Sequence, residues 1–164
     1  MRGQMFLIGA IFFSIALLFM LKHFISLPIL DFKANYYLEN SAREYNKLLV
    51  HCSLYGDCTN KLENFSKFLV SKFPVRVIYL FLQSSKAYLG NFYGASVNVS
   101  LFFCNSTRFM SIEPLSVKEV NVGDCRDFKL ALLDKSFNFL AKRDRTLFLY
   151  LETEAKDKFF VRIY

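Results

Sequence analysis

Residues 75–82 read VRVIYLFL, directly after Pro74, and this run marks where the chain changes its period. Before it, apolar residues recur at helical spacing. After it, they alternate or cluster in short β-branched and aromatic runs separated by turn signals, as strands do. Proline has no N–H to donate and its ring clashes with the preceding turn, so a helix reaching Pro74 stops there.

Upstream of Pro74 the spacing predicts a helix over residues 60–72. Thr59 or Asn60 is its cap, and Leu62, Phe65, Phe68, Leu69 and Phe73 form its apolar stripe. A loop over residues 51–58 separates it from an earlier helix at 31–50. There Phe32, Tyr36, Ala42, Tyr45, Leu48 and Leu49 share one face, and Lys33, Glu39, Arg43, Glu44 and Lys47 fill the other. Asp31 is a plausible N-cap three residues after Pro28.

Downstream, Gly90 and Gly94 are expected to bracket a turn, followed by a half-buried strand at 95–104 (ASVNVSLFFC) and a turn at Asn105-Ser106. Shorter strands are predicted at 109–112 and 117–122 around Pro114, then at 128–133, 137–141, 146–152 and 159–163. Residues 142–145 (KRDR) make a charged turn, and a further turn covers 154–157. Strands following one another with no helix between them argue an antiparallel arrangement. The expected fold class is α+β: an N-terminal transmembrane helix, two amphipathic helices, then a C-terminal antiparallel β-sheet or sandwich over 75–164. With 15 of the chain's 20 Phe, all 9 of its Tyr and no Trp, residues 31–164 suit one domain with an aromatic core and not a disordered tail.

The transmembrane expectation comes from residues 5–21, MFLIGAIFFSIALLFML, in which no position is charged. A helix rises about 1.5 Å per residue and a hydrocarbon core is about 30 Å thick, so a span needs about 20 apolar residues. The apolar character resumes as FISLPIL after Lys22 and His23, and a lysine near a helix end can snorkel to the interface. A cleaved secretory signal would show a small-residue site, whereas Phe24-Ile25-Ser26-Leu27 is bulky. A buried helix of a soluble domain would show a polar stripe, and this run has none. Residues 1–30 are therefore expected to be a leader and membrane anchor, with membrane lipid as their partner, and 31–164 a separate α+β domain.

Arg2 lies on one side of the stretch and Lys22 and Lys33 on the other, so charge leaves the orientation open. Four cysteines, Cys52, Cys58, Cys104 and Cys125, fit two disulfides in an oxidising compartment. Three pairings are possible. Local closure is entropically easiest, which favours Cys52–Cys58 and Cys104–Cys125; four buried free thiols are the alternative. Three N-x-S/T sequons begin at Asn64, Asn98 and Asn105, and modification there requires a non-cytoplasmic face. Together these place the N-terminus in the cytoplasm and the C-terminal domain outside it.

Arg2-Gly3-Gln4, followed at once by a hydrophobic stretch, resembles the N-terminus of archaeal type IV pilin-like proteins, those with class III signal peptides. The resemblance covers about the first thirty residues. It implies cleavage between Gly3 and Gln4 by a prepilin-type peptidase, and a stretch serving as anchor and, in filaments, as packing core against other pilin-like subunits or copies of itself. It also implies a long N-terminal helix leading into an antiparallel sheet, with Pro28 at a kink. Ile8 stands where many of that family carry a glutamate.

Residues that carry chemistry are sparse. His51 neighbours Cys52 in a loop, and adjacent side chains point apart, which makes a poor nucleophile–base pair. No Gly-rich phosphate loop occurs. The carboxylate pairs Glu152/Glu154 and Asp124/Asp127 suit solvated strand ends. No zinc spacing is present, so no metal or cofactor is expected, and no catalytic residue is assigned. The net charge is +7. Arg2 and Lys22 are the only charges before residue 31, so the rest carries +5, spread too diffusely to suggest nucleic acid. The function expected is a non-enzymatic, pilin-like structural or interaction protein of the cell envelope. The alternative is a membrane-anchored binding module whose aromatic loops (Phe92, Tyr93, Phe102, Phe103) meet a glycan or protein.

Overall fold

The computed structural model describes residues 13–17, 35–52, 54, 56, 58–142, 145–153 and 159–164. The chain divides into two compact units, Met1–Tyr36 and Tyr37–Tyr164. In the first, residues 13–17 are helical and Phe13, Ile15 and Leu17 are exposed. Most of the expected anchor lies outside the described residues, among which no helix is long and apolar enough to cross a membrane.

The second unit is α+β with antiparallel strands. Helix α1 covers residues 35–52 and α2 runs Cys58–Lys72. Nine strands follow: β1 Val75–Gln83, β2 Lys86–Phe92, β3 Val97–Phe103, β4 Ser106–Ile112, β5 Ser116–Asn121, β6 Asp127–Leu132, β7 Lys135–Leu140, β8 Arg145–Thr153 and β9 Phe159–Ile163. They form a five-stranded sheet in the order β5-β2-β1-β8-β9 and a four-stranded sheet in the order β4-β3-β6-β7.

The VRVIYLFL run explains the layering. β1 is a central strand paired with β2 on one side and β8 on the other, and every residue from Val77 to Leu82 is buried. Successive side chains point to opposite faces, so a strand this apolar needs cover on both. Ile78, Leu80 and Leu82 join Val99, Leu101, Leu130 and Phe139 of the four-stranded sheet in one core. Val77, Tyr79 and Phe81 join Leu38, Ala42, Tyr45, Leu62 and Leu69 of the helices in the other. The second unit thus has three layers: helices, five-stranded sheet, four-stranded sheet. β8 (RTLFLYLET) is apolar on both faces for the same reason.

Three expectations need correction here. Gly90 does not open a turn: it sits inside β2 opposite Tyr79, Gly94 lies in the short bend between β2 and β3, and the β1–β2 hairpin turn is at Ser84-Ser85, with Ser84 at φ 54°. A Cβ on Gly90 would fall 2.5 Å from Tyr79 Cζ, so glycine is there to let an aromatic ring lie on the backbone. The neighbouring Asn91 is fully buried at the crossover between sheets. Its amide donates to the carbonyls of Ala95 and Ile112, and its Oδ1 accepts from Tyr93 N–H. The helix stripes also differ. α2 buries Cys58, Leu62, Ser66 and Leu69 but exposes Phe68, as the chain just after it exposes Phe73; in α1 Tyr36 is exposed while Leu38 and Cys52 are core.

Candidate functional site

The two disulfides are Cys52–Cys58, with Cα atoms 5.1 Å apart, and Cys104–Cys125, at 5.6 Å. The first closes the α1–α2 connection inside the helical core. Arg145, at the start of β8, donates to Cys52 O at 3.1 Å and reaches Cys58 Sγ at 3.7 Å. His51 is exposed beside a bridged sulfur, so no thiol is available to it. The second joins the β3–β4 turn to the β5–β6 connection at one end of the four-stranded sheet.

All three sequon asparagines are exposed: Asn64 on α2, Asn98 on the outer face of β3, and Asn105 in the β3–β4 turn. Their hydroxyl residues differ. Thr107 is exposed and Ser100 half-buried, whereas Ser66 is fully buried, bonded to Tyr45 OH at 2.5 Å and donating to Leu62 O at 2.7 Å. With the serine proton committed to Leu62, Tyr45 donates to Ser66. The serine of that sequon therefore has a structural reason to be there. Gly3 and Gln4 lie outside the described residues.

The outer face of the four-stranded sheet carries an aromatic and polar groove. Cross-strand pairing puts Thr107, Phe102, Lys129 and Asn138 in one row. The groove is open, has a volume of about 570 Å³ and is lined by Phe102, Cys104, Asp127, Lys129, Asn138 and Leu140. Lys129 Nζ stands 5.6 Å from the Phe102 ring centre, and Phe109 packs edge-on against Phe102. Of the four aromatics expected at exposed tips, Phe92 and Phe103 are core residues, while Tyr93 and Phe102 are half-buried.

A polar cluster that sequence reasoning missed closes one end of the space between the sheets. Glu152 Oε2 accepts from Tyr93 OH at 2.6 Å and from Tyr150 OH at 3.2 Å. Arg76 Nη1 donates to Tyr93 OH at 3.3 Å and lies 3.9 Å from Glu152 Oε1. Lys135 donates to Tyr150 OH at 3.1 Å and sits 3.5 Å from the Phe159 ring centre. Burial, then the neighbouring carboxylate, raises both tyrosine pKa values above the ordinary one. Both hydroxyls hold their protons as donors to Glu152 Oε2, and Arg76 balances the carboxylate's charge, so the cluster acts as a clamp between strands. Its sequence signal was Arg76 and Glu152, charges near the ends of two otherwise apolar runs and directly paired across them.

Glu152 is thus not at the solvated strand end expected of it but largely buried on the two tyrosines; Glu154 lies outside the described residues, and Asp124 and Asp127 are exposed on either side of Cys125, as solvated carboxylates are. Among the described residues no group of three His, Cys, Asp or Glu could hold a metal ion. No protein-family profile, curated protein or solved structure matches the chain.

Proposed function

We infer that this chain is a single-pass, pilin-like structural or interaction protein of the cell envelope, with its N-terminus cytoplasmic and its α+β domain outside, and that it is non-enzymatic. The observation that carries this reading is a seventeen-residue uncharged stretch joined to a domain holding two disulfides. Disulfides persist in oxidising compartments, and a stretch of this character reaches one by anchoring across a bilayer. Support comes from the exposed apolar side chains of Phe13, Ile15 and Leu17 and from exposed asparagines in all three sequons. The helix-then-antiparallel-sheet order also agrees with what the Arg2-Gly3-Gln4 resemblance implies. Membrane lipid, a prepilin-type peptidase and other pilin-like subunits or self are the partners in this reading.

A second reading is a membrane-anchored module that binds a glycan or protein. The groove beside Phe102, Lys129 and Asn138 favours it, since aromatic and planar polar groups converge there.

The test is expression of the full chain with a tag after Tyr164. The tagged chain should stay in the membrane through alkaline carbonate extraction, lose its tag to protease added outside the cell, and begin at Gln4 by mass spectrometry. A chain released by carbonate, or digested only after the membrane is opened, refutes the anchored arrangement. A mature N-terminus at Met1 refutes the processing.

A further inference from the structure

The three sequons stand in three kinds of backbone, and it is the backbone that tells them apart, since every acceptor asparagine is exposed. Transfer of a glycan needs more than exposure. The transferase engages the asparagine amide together with the hydroxyl two residues later, so the whole segment has to leave its own hydrogen bonds and enter a site. Asn64 lies inside α2, where residues two apart point about 200° away from each other. It faces water while Ser66 is fully buried and bonded to Tyr45 OH and Leu62 O. Presenting both means unwinding α2 from the helical core, in which Leu62 and Leu69 are buried.

Asn98 and Ser100 share the outer face of β3, as alternate strand residues do, but β3 is a central strand. Val99 pairs with Met110 on β4 and Leu132 on β6, and Ser100 pairs with Phe109 and Ala131. Lifting this segment breaks two ladders and draws Val99 out of the core between the sheets. Asn105 differs on each count. It shares with Cys104 the two-residue turn between β3 and β4, and Ser106 and Thr107 open β4, an edge strand with a ladder on one side. Asn105, Ser106 and Thr107 are all exposed. The pairs that have to part are Phe103 with Ser106 and Phe102 with Thr107, at a hairpin tip, where local opening costs least. Cys104 is bridged to Cys125, so the opening stops at the disulfide and does not run back into β3.

We propose that Asn105 is the glycan acceptor of the folded domain, with Thr107 as the hydroxyl that the transferase reads, and that Asn64 and Asn98 stay unmodified. This rests on the reading above that the domain lies outside the cytoplasm. The donor is an oligosaccharide carried on a lipid pyrophosphate. Asn105 Nδ2 attacks the anomeric carbon of the first sugar. The new C–N bond forms as the C–O bond to pyrophosphate breaks, the lipid pyrophosphate leaves with the electron pair, and one amide proton passes to the transferase. Asn105 directly follows Cys104, which with Phe102 and Lys129 lines the groove on the outer sheet face. The first sugars therefore stand at one end of that groove.

The full chain, tagged after Tyr164 and made in its native cells, is purified and read by intact mass and by peptide mapping. One glycan per chain is expected, on the peptide that holds Asn105. It should be lost in Asn105→Gln and in Thr107→Ala, and kept in Asn64→Gln, in Asn98→Gln and in Thr107→Ser, which restores the hydroxyl and so separates its loss from a fault in folding. Occupancy at Asn64 or Asn98 equal to that at Asn105 overturns the proposal, and so does a mass equal to that of the bare polypeptide. Protease added to the same intact cells tells the two failures apart. A bare Asn105 on a domain digested from outside removes the glycan assignment alone, whereas a domain digested only after the membrane is opened removes its outward placement and the assignment together.

Discussion

Replacing Gly90 by alanine tests the packing logic of the central sheet. The added Cβ would press on the Tyr79 ring, standing 2.5 Å from Tyr79 Cζ and 2.9 Å from Phe92 Cε2. Carbon atoms pack at about 3.5–4.0 Å, so the Tyr79 ring has to retreat by roughly 1 Å. It has nowhere easy to go, being fully buried and stacked on Phe92 at 5.9 Å with an interplanar angle of 17°. Overpacking of this kind costs about 1–3 kcal/mol. Alanine recovers about 0.4–1 kcal/mol of that by restricting the unfolded chain. The net loss is about 1–2 kcal/mol, read as a lower urea midpoint for the full chain in detergent, with an unchanged slope.

A double-mutant cycle isolates the cause. In a Tyr79→Leu background the tighter contact is gone and only that with Phe92 Cε2, at 2.9 Å, remains, so Gly90→Ala should cost clearly less, giving a coupling energy of about 1 kcal/mol. Tyr79→Phe separates ring from hydroxyl. The Tyr79 hydroxyl is buried without a hydrogen-bond partner, so its removal should be neutral or stabilising by about 1 kcal/mol, while the penalty at Gly90 persists. Equal cost of Gly90→Ala in the native chain and in the Tyr79→Leu background refutes the account.

Three further outcomes are expected. Ser66→Ala should cost about 1–3 kcal/mol by leaving the Tyr45 hydroxyl unpaired in the core, whereas Asn64→Gln should leave the urea midpoint unchanged; a glycan at Asn64 whose loss alone destabilised the domain would contradict this. Removing Cys104–Cys125, with a separation of 21, should cost about 3 kcal/mol, and removing Cys52–Cys58, with a separation of 6, about 2 kcal/mol, by loop-closure entropy; chemical unfolding of paired Cys→Ala variants gives the order. At high pH, burial holds the Tyr45 and Tyr79 hydroxyls protonated well above the ordinary value of 10.0. Their contribution is fully present below pH 10 and is lost as pH rises towards the folded-state values, because the unfolded chain releases protons that the folded chain keeps. Each such group lowers the unfolding free energy by about 1.4 kcal/mol per pH unit, so circular dichroism and tyrosinate absorbance should change together in one cooperative step; tyrosine ionisation complete before any loss of structure would refute it.

Legibility in the sequence followed the range of the interactions. The strand after Pro74 and the terminal strand at 159–163 were readable because β-branched and aromatic runs carry their own signal. The disulfide pairing agreed with the simplest loop-closure argument, since both bridges are local. Gly90 misled because a glycine beside an asparagine reads as a turn in any short window. Its reason is Tyr79, eleven positions upstream and opposite it only once the hairpin forms. The helix stripes failed at Phe68 and Ser66 for a related reason: periodicity fixes that a helix is amphipathic, while the sheet it meets decides which residues face in.

The two kinds of misreading point in different directions. Ser66, polar yet buried, is explained within the fold by Tyr45 and Leu62. Gly90 is explained within it by Tyr79. Phe68 and Phe73 are explained in part: both are more than a third exposed, yet Phe68 lies 6.5 Å from Phe65 and Phe73 lies 5.6 Å from Tyr37, so the rings carry the aromatic packing of the helical core outward. Their exposed halves escape a reading by period, because helical spacing decides which residues share a face and the extent of the sheet beneath decides how much of that face is covered.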